Sequence, residues 1–445
     1  MEKSYNSVII LAAGIGSRMK SDIPKVFQKI GGLSLLDHVI TAAKGINPDV
    51  IIAVLNPRHK NFDFDFGREV IKVYQKEQKG TADAVKCGLQ AADEVEGWVY
   101  ILYGDIPLVS SDTLMKLSEV SRKSADTALV VLAIGSENTK DLGRLEPADE
   151  KGTVKSIVEA KDNVSSKTIS LCNAGLLIKK SLLKRFINEI KPSGVTGEFY
   201  ITEIVRLIHE AGYICRYHKG TERELSGANT VAELALLERN FQEREREKHM
   251  KNGVLLTAPE TVFFSHDTIA ESGVTVRPYV VFSRGVCLES GSEVGPFCLL
   301  EGTTVRNAAI GPFARLRGES LVKEGAKVGN FVEVKNSTIS EGTKVNHLSY
   351  VGDSDIGKNT NIGAGTVTCN YDGFKKHKTV IGENVFVGSN ASLVAPVTVG
   401  NDSFIGAGSV ITDDVEEGSL ALERSSRRSV KGWTEFRKKK KCAES

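Results

Sequence analysis

Two sets of residues in this chain have the types and spacing that chemistry needs. In the second half, His347 sits in Val345-Asn-His-Leu-Ser-Tyr350, two positions after an aliphatic residue. A neutral imidazole held in one orientation is a good general base near neutral pH. Glu333 lies fourteen residues upstream, in Gly329-Asn-Phe-Val-Glu-Val-Lys335, and is expected to stack near His347 and orient the ring. Arg317 and Lys335 are eighteen residues apart and would set two cations on one face, suited to a phosphate group. An incidental solvent-facing side chain is the plain alternative for His347.

In the first half, the apolar run Val8 to Ala12 empties into Ala13-Gly14-Ile15-Gly16-Ser17-Arg18-Met19. Two glycines directly after a buried strand let backbone N–H groups approach a phosphate closely. Arg18 adds a guanidinium fork for phosphate oxygens, and Lys25 adds a point charge. The motif lacks the Gly-Lys-Ser/Thr ending of a P-loop and the third glycine of a dinucleotide fingerprint. Taken alone, it is equally well a tight turn. A second strand, Val99 to Leu102, ends in Tyr103-Gly104-Asp105. There Asp105 would hold Mg²⁺ by oxygen ligation beside a triphosphate, or else cap a helix or turn. Gln75 and Gly80-Thr81 stand just before a helix, where an amide can read a base edge and Gly-Thr can bond a base or phosphate.

Each set needs a frame. From Val276 to Glu416 an aliphatic residue recurs about every six positions, as at Val276, Phe282, Leu288, Val294 and Leu300. It steps to Val305 and Ile310, resumes at Leu316, Val322, Val328 and Val334, and runs on to Ile411. A fixed short period over such a length means a repeat architecture. Six residues make one flat strand and a corner; three such rungs close a triangular coil with the aliphatics inward. The one break, Gly363 to Val380, carries Asn370, Tyr371, Asp372, Lys375, Lys376, His377 and Lys378 and is expected to project as a loop.

The first half alternates instead. Strands are expected at Val50 to Leu55, Ile71 to Tyr74 and Trp98 to Leu102, helices at Leu33 to Ala43 and Thr81 to Ala92. That order argues for an α/β domain with a mostly parallel sheet and a ligand crevice at the strand ends. Between the halves, Val231 to Met250 carries a narrow stripe of Val231, Leu234, Leu237 and Phe241, while Glu243 to Lys248 alternates in sign and reads as solvent exposed. The segment is expected to be a helical spacer, or else a helix packed on the first domain throughout. The expected domains are 1–229, a linker helix 230–252, and 253–445 with a basic tail.

The repeat resembles the left-handed parallel β-helix of the hexapeptide acyltransferases. Leu11-Ala-Ala-Gly-Ile-Gly-Ser-Arg-Met19, Pro24-Lys25, Gln78-Lys-Gly-Thr81 and Tyr103-Gly-Asp105 stand in the order of the sugar-1-phosphate nucleotidyltransferases. Gly311-Pro-Phe-Ala-Arg-Leu-Arg317 and Gly363-Ala-Gly-Thr-Val-Thr-Cys-Asn-Tyr-Asp-Gly373 narrow the match. Nearly all of 1–433 resembles the bifunctional N-acetylglucosamine-1-phosphate uridylyltransferase/glucosamine-1-phosphate acetyltransferase family. The resemblance implies a Rossmann-like nucleotidyltransferase domain, a linker helix and a left-handed β-helix that acetylates. It implies acetyl transfer from acetyl-CoA to glucosamine 1-phosphate, then uridylyl transfer from UTP to N-acetylglucosamine 1-phosphate, with Mg²⁺, in a homotrimer.

For the first site, the resemblance implies contacts to UDP-N-acetylglucosamine from Leu11, Ala12, Ala13, Gly14, Lys25, Gln75, Gly80, Thr81, Tyr103, Gly104, Asp105, Gly143, Glu159, Asn173 and Asn229. Arg18 and Lys25 would act on the phosphates, and Asp105 and Asn229 would bind the metal. For the second site it implies His347 as base with Glu333 behind it, and Arg317, Lys335, Tyr350 and Asn361 on the sugar phosphate. Asn370 and Tyr371 would shape the site toward acetyl-CoA, whose path Ala364, Ser389, Ala407 and Arg424 would line. Ile15, Leu142, Ser226 and Gly318 depart from the commonest family pattern.

A chain of 445 residues with 41% hydrophobic and 26% charged residues has an ordinary soluble balance for two or three domains. A net charge of +2 gives no general case for nucleic acid or stable membrane association. The run Lys438 to Lys441 fits a solvated tail or a place near a phosphate ligand. Met1 to Ser7 lacks the marks of a signal peptide, and no apolar run approaches the length of a membrane span. Seven scattered cysteines without a CxxC pair read as free thiols in a reducing cytoplasm. Two rival readings remain: a nucleotidyltransferase whose β-helix only trimerises or regulates, and a sugar-nucleotide binding protein without catalysis.

Overall fold

The structure, a computed structural model, describes residues 5–62, 64–92, 96–136, 143–147, 152–159 and 170–443. It divides into two compact units, Met1–Arg244 and Glu245–Ser445.

In the first unit, alternate residues of the strand Tyr5–Ala12 enter two different cores. Val8 and Ile10 pack with Leu36, Val39, Leu114 and Leu117, while Ile9 packs with Ala82, Val85, Ile204 and Ile208. Helices Leu35–Lys44 and Ser111–Arg122 thus cover one face of the sheet, and Thr81–Gln90 and Glu203–Glu210 cover the other. The main path of the sheet runs Ile214–Gly220, Thr127–Ser136, Ser170–Lys179, Gly97–Tyr103, Tyr5–Ala12, Val50–Leu55, Val70–Tyr74. Along it only Ser170–Lys179 is antiparallel, to both of its neighbours. From Tyr5–Ala12 the chain fills one side of the sheet and then crosses to the other with Gly97–Tyr103. Such a reversal of strand order opens a crevice at the carboxyl ends, here after Ala12 and Tyr103.

The helix Val231–Lys251 is less exposed than its charges suggest. Leu237 and Phe241 are each 1% exposed and pack with Met19, Ile30, Leu35, Leu108 and Ala228. Gly31, at φ +52°, makes room: a Cβ there would lie 2.2 Å from the Phe241 ring. Two well-placed residues are enough to anchor the first part of the helix, and the unit boundary falls inside it, after Arg244.

The second unit is a left-handed parallel β-helix of three parallel sheets with ten, eight and eight strands. The aliphatic ladder is its core: Val276, Leu288, Val294, Leu300, Leu316, Val334, Val345 and Val351 are fully buried. The ladder begins earlier than the periodicity indicates, at Leu255–Leu256, which pairs with Thr275–Val276. Its first coil escapes the pattern because Ser265 and Thr268 are buried there and bond each other.

The break is also shorter than expected. Val367–Cys369 keeps the rung, with Thr368 facing inward six residues after Ile362. The Thr368 hydroxyl accepts from Gly352 N–H at 2.8 Å and donates to Gly352 O at 3.1 Å, so a polar residue is tolerated there. Only residues 370–378 project, closed by a bridge between Tyr371 and Lys376. Among the described residues, no helix is long and apolar enough to cross a membrane.

Candidate active sites

Lys25, Asp105 and Asn229 converge in the crevice of the first unit. Lys25 opens the short turn Lys25–Phe27. Its Nζ pairs with the Asp105 carboxylate and donates to Asn229 Oδ1 at 2.9 Å. Asn229 is delivered by the segment before it: Ala228 N–H donates to Asp105 O at 3.3 Å, and a Cβ on Gly227 would stand 3.1 Å from that oxygen. Two hard oxygen donors reaching one point make a donor set that suits Mg²⁺. Among the described residues, no three His, Cys, Asp or Glu side chains gather as a metal site. Water and substrate oxygens would therefore complete the coordination of such an ion.

The glycine loop runs beside this point. Gly16, at φ +68°, lies against Lys25, where a Cβ would come within 2.7 Å of Lys25 Cβ. Gly14 is exposed and opens on empty space, and Arg18 is exposed in the turn Ser17–Met19.

Tyr103, Gly143, Glu159 and Asn173 form a patch next to Asp105. Asn173 Nδ2 donates to the Tyr103 hydroxyl at 2.8 Å, and Asn173 N–H donates to Gly143 O at 2.8 Å. A Cβ on Gly143 would lie 3.3 Å from Glu159 Oε1, which accepts from the Thr202 hydroxyl at 2.6 Å. Burial pushes the Tyr103 phenol well up, with the Glu159 and Asp105 charges adding to it and Asn173 opposing.

Gln75 is 3% exposed, and its Nε2 is already used, donating to Gly80 O at 3.2 Å and to Asp83 Oδ2 at 2.8 Å. Gly80, at φ +120°, is pressed on Phe199, whose carbonyl oxygen would be 2.5 Å from a Cβ. Ile201 N–H donates to the Thr81 hydroxyl at 2.9 Å. Residues 199–202 are therefore a clamp: Phe199 N–H donates to Lys79 O and Ala82 N–H to Phe199 O, each at 2.8 Å, and the segment delivers Thr202 to Glu159.

In the second unit, Arg317 and Lys335 are direct partners on adjacent strands. The expected stacking of Glu333 on His347 is not found. Glu333 accepts from Arg317 at 2.7 Å, while His347 Nδ1 meets Asn330 Oδ1 at 2.6 Å. The reason is coil length: Asn330 and His347, seventeen apart, are in register, whereas Glu333 lies beyond the Phe331 corner and pairs with Tyr350. With the Asn330 oxygen toward the ring, Nδ1 is the donor and the Nε2 lone pair is left open. His347 is exposed.

Around the cations, Asn370 Nδ2 bonds Asp353 and lies 3.5 Å from the Tyr350 hydroxyl, and Lys335 Nζ lies 3.7 Å from Asp353 Oδ2. A third cation joins them from the projecting loop. The nearby Lys335 ammonium pushes the Lys376 amine below its ordinary value. Sequence reasoning assigned no role to Lys376, Asp353 or Asn330; the charge of the insert and the seventeen-residue coil were the available signals. Asp372 sets the loop, accepting from Phe374 N–H at 2.7 Å and Lys375 N–H at 2.6 Å and meeting His377 Nε2 at 2.6 Å. Tyr371 is exposed and donates to Gly373 O at 2.6 Å.

Ala364, Ser389 and Ala407 stack on successive coils. Ala364 O accepts from Asn390 N–H and Ser389 O from Gly408 N–H, each at 2.8 Å; Ala407 O accepts from Arg424 Nη1 at 3.2 Å. Asn361 lies on the His347 sheet, paired with Lys344 and Phe386. Of the departures from the family pattern, Gly318 sits at φ +65°, a conformation that favours glycine, and Ile15 is 54% exposed on the loop. Ser226 donates to Glu222 O at 2.5 Å, and Leu142 lies outside the described residues.

Residues 8–147 match the family profile of the MobA-like NTP transferase domain, and residues 378–413 that of the bacterial transferase hexapeptide (six repeats). The bifunctional protein GlmU of Paramagnetospirillum magneticum is 42% identical over 442 residues, 98% of this chain and 97% of that protein. The bifunctional protein GlmU of Zymomonas mobilis is 40% identical over 442 residues, 98% of each. Among solved structures, a UDP-glucose pyrophosphorylase complexed with UDP-glucose aligns at TM-score 0.44 and 17% identity, covering 54% of this chain and 99% of that chain. Since the curated relatives match both units at such identity, the chain belongs to the bifunctional GlmU family.

Proposed function

We infer that this chain is a bifunctional transferase that makes UDP-N-acetylglucosamine. Its β-helix moves acetyl from acetyl-CoA to the amine of glucosamine 1-phosphate. Its α/β unit joins N-acetylglucosamine 1-phosphate to UTP and releases pyrophosphate. The observation that carries this reading is the presence of one polar cluster in each unit, both inside the span of the same family match.

In uridylyl transfer the sugar phosphate is already a nucleophile, so the site must align it with the α-phosphorus and neutralise charge. Lys25 and Arg18 supply fixed cations. Asp105 and Asn229 would hold Mg²⁺, which when bound adds charge neutralisation at the triphosphate. Tyr103, Gly143, Glu159 and Asn173 hold the sugar. Because Gln75 spends its nitrogen on Gly80 and Asp83, its oxygen is left to accept the N3–H of uracil, beside Thr81 and the Leu11 to Gly14 backbone.

In acetyl transfer, Arg317, Lys335 and Lys376 bind the phosphate of the sugar, with Tyr350. His347 and Asn361 lie on the adjacent sheet of the coil. Adjacent faces of a triangular coil look in diverging directions, so a site that uses both is completed between neighbouring chains. An exposed apolar corner supports such packing: Tyr279, Phe297, Phe313 and Phe331 stack with ring centroids 4.9, 4.9 and 5.1 Å apart. A homotrimer closes this surface and lets Ala364, Ser389, Ala407 and Arg424 line acetyl-CoA. Light scattering of the full chain should give three chain masses; a monomer with full acetyl transfer contradicts the arrangement. Buried free thiols at Cys172, Cys215 and Cys298 fit a cytoplasmic protein.

The test is a coupled assay from glucosamine 1-phosphate with each cosubstrate left out in turn. Without UTP, thiol release from acetyl-CoA should continue while no UDP-sugar forms; without acetyl-CoA, neither product should appear. Absence of any glucosamine 1-phosphate-dependent thiol release would leave the β-helix as an oligomerisation module.

A further inference from the structure

Asn56 touches none of the polar groups assigned above to catalysis, yet it joins two of the segments that carry them. Ala12 and Leu55 are partners on adjacent strands, so the next residues, Ala13 and Asn56, leave the sheet side by side. Asn56 is 3% exposed. Its Oδ1 accepts from Arg58 N–H at 3.0 Å, capping the short turn Pro57–Asn61. That bond fixes which end of the amide is oxygen, so the nitrogen faces Ala13, and Nδ2 donates to Ala13 O at 3.2 Å.

A trans peptide is planar, with C=O and N–H on opposite sides. Holding Ala13 O toward Asn56 therefore turns Gly14 N–H away from Asn56, and Gly14 itself is exposed, with nothing within 4 Å of where a Cβ would stand. The same turn reaches Lys25. Asn56 N–H meets His59 Nδ1 at 3.3 Å, and the His59 ring, 2% exposed, packs edge-on against Phe27 with centroids 5.1 Å apart. Phe27 closes the turn that Lys25 opens, and it stacks on Phe64 at 5.0 Å. Burial pushes the His59 imidazole down to about 4, so the ring stays neutral and its Nδ1 can accept.

We propose that Asn56, braced by His59 and Phe27, is a positioning residue for uridylyl transfer. It aims the Gly14 N–H at the nucleotide phosphates and sets the glycine loop in register with Lys25. The inference rests on the reading of the first unit as the uridylyl site, with Lys25 as a phosphate cation.

The experiment uses the full chain with Asn56→Ser, Asn56→Asp and, separately, Lys25→Ala. Serine and aspartate both cap a turn about as well as asparagine. Aspartate has no proton to donate to Ala13 O, and serine offers one oxygen, a bond shorter, where asparagine uses two separate atoms for Arg58 N–H and Ala13 O. Serine also adds no charge that would repel UTP. Asn56→Ser should lower uridylyl kcat/KM for UTP by about 10- to 100-fold, the range for a misplaced positioning contact. KM for N-acetylglucosamine 1-phosphate and acetyl transfer on the same chain should not change, which a loss of fold would not spare. Asn56→Asp should lose at least as much. Wild-type UTP parameters in Asn56→Ser, or an equal change in both substrates' KM, overturn the proposal. Should Lys25→Ala itself keep full uridylyl transfer, the reading of the site fails instead.

Discussion

His347→Ala is expected to lower acetyl-transfer kcat by about 10²- to 10⁴-fold, the contribution of a positioned general base, and to leave uridylyl transfer untouched. Glucosamine 1-phosphate carries an ammonium that must lose a proton before its nitrogen can attack the thioester. The hydrogen bond from Nδ1 to Asn330 leaves Nε2 to accept that proton, directly or through a water. Arg317, Lys335 and Lys376, the proposed phosphate cations, are untouched, so KM for the sugar should change little. The acid limb of the pH–rate profile should vanish with the imidazole. Asn330→Ala, which frees the ring without removing it, should cost less. Glu333→Gln acts elsewhere: it loosens Arg317 and should raise KM for the sugar phosphate more than it lowers kcat. Full acetyl transfer with an unaltered pH profile in His347→Ala would mean that histidine is not the base.

Asp105→Ala should reduce UDP-sugar formation by at least about 10²-fold, the scale for removing a preorganised charge contact. Asp105 comes just after the strand Gly97–Tyr103, past Gly104, at the point where the strand order reverses. Its carboxylate is one of two oxygen donors that meet at Lys25. Without it, Asn229 alone would be left to hold a metal ion, and Lys25 loses the partner that fixes its ammonium. Acetyl transfer, housed in the other unit, should remain near normal. A parallel loss of both activities in a folded protein would contradict the assignment of two sites.

The frame of both units is legible where local pattern and burial agree. Val276 to Ile411 can be followed by eye because almost every inward position is aliphatic. The pattern fails at Ser265, Thr268 and Thr368, buried polar residues where the Thr268 hydroxyl accepts from Ser265 N–H and the Thr368 hydroxyl donates to Gly352 O in place of apolar packing. Asp105 is legible because it comes just after a strand end, where ligands collect in open α/β sheets, and Lys25 because it follows the glycine loop that leaves another strand. Asn56 and Lys376 are not, since each sits in a connection without periodicity and gains meaning only from what the fold sets beside it. Glu333 shows the limit of counting. A coil of seventeen rather than eighteen residues, and a corner at Phe331, move it from the imidazole to the guanidinium of Arg317. The charges of Val231–Lys251 hide the anchoring of Leu237 and Phe241, because two buried residues outweigh a polar majority.

The central claim is that two independent sites on one chain act in sequence through free N-acetylglucosamine 1-phosphate. Mixing the two variants tests it most directly. His347→Ala or Asp105→Ala alone should turn glucosamine 1-phosphate, acetyl-CoA and UTP into UDP-N-acetylglucosamine only at a residual rate, at least about 10²-fold below wild type. An equimolar mixture should be far faster, because the Asp105 variant supplies the acetylated sugar and the His347 variant consumes it. A mixture no faster than either variant while each keeps its own remaining activity, or either variant alone making the product at the wild-type rate, would contradict the account.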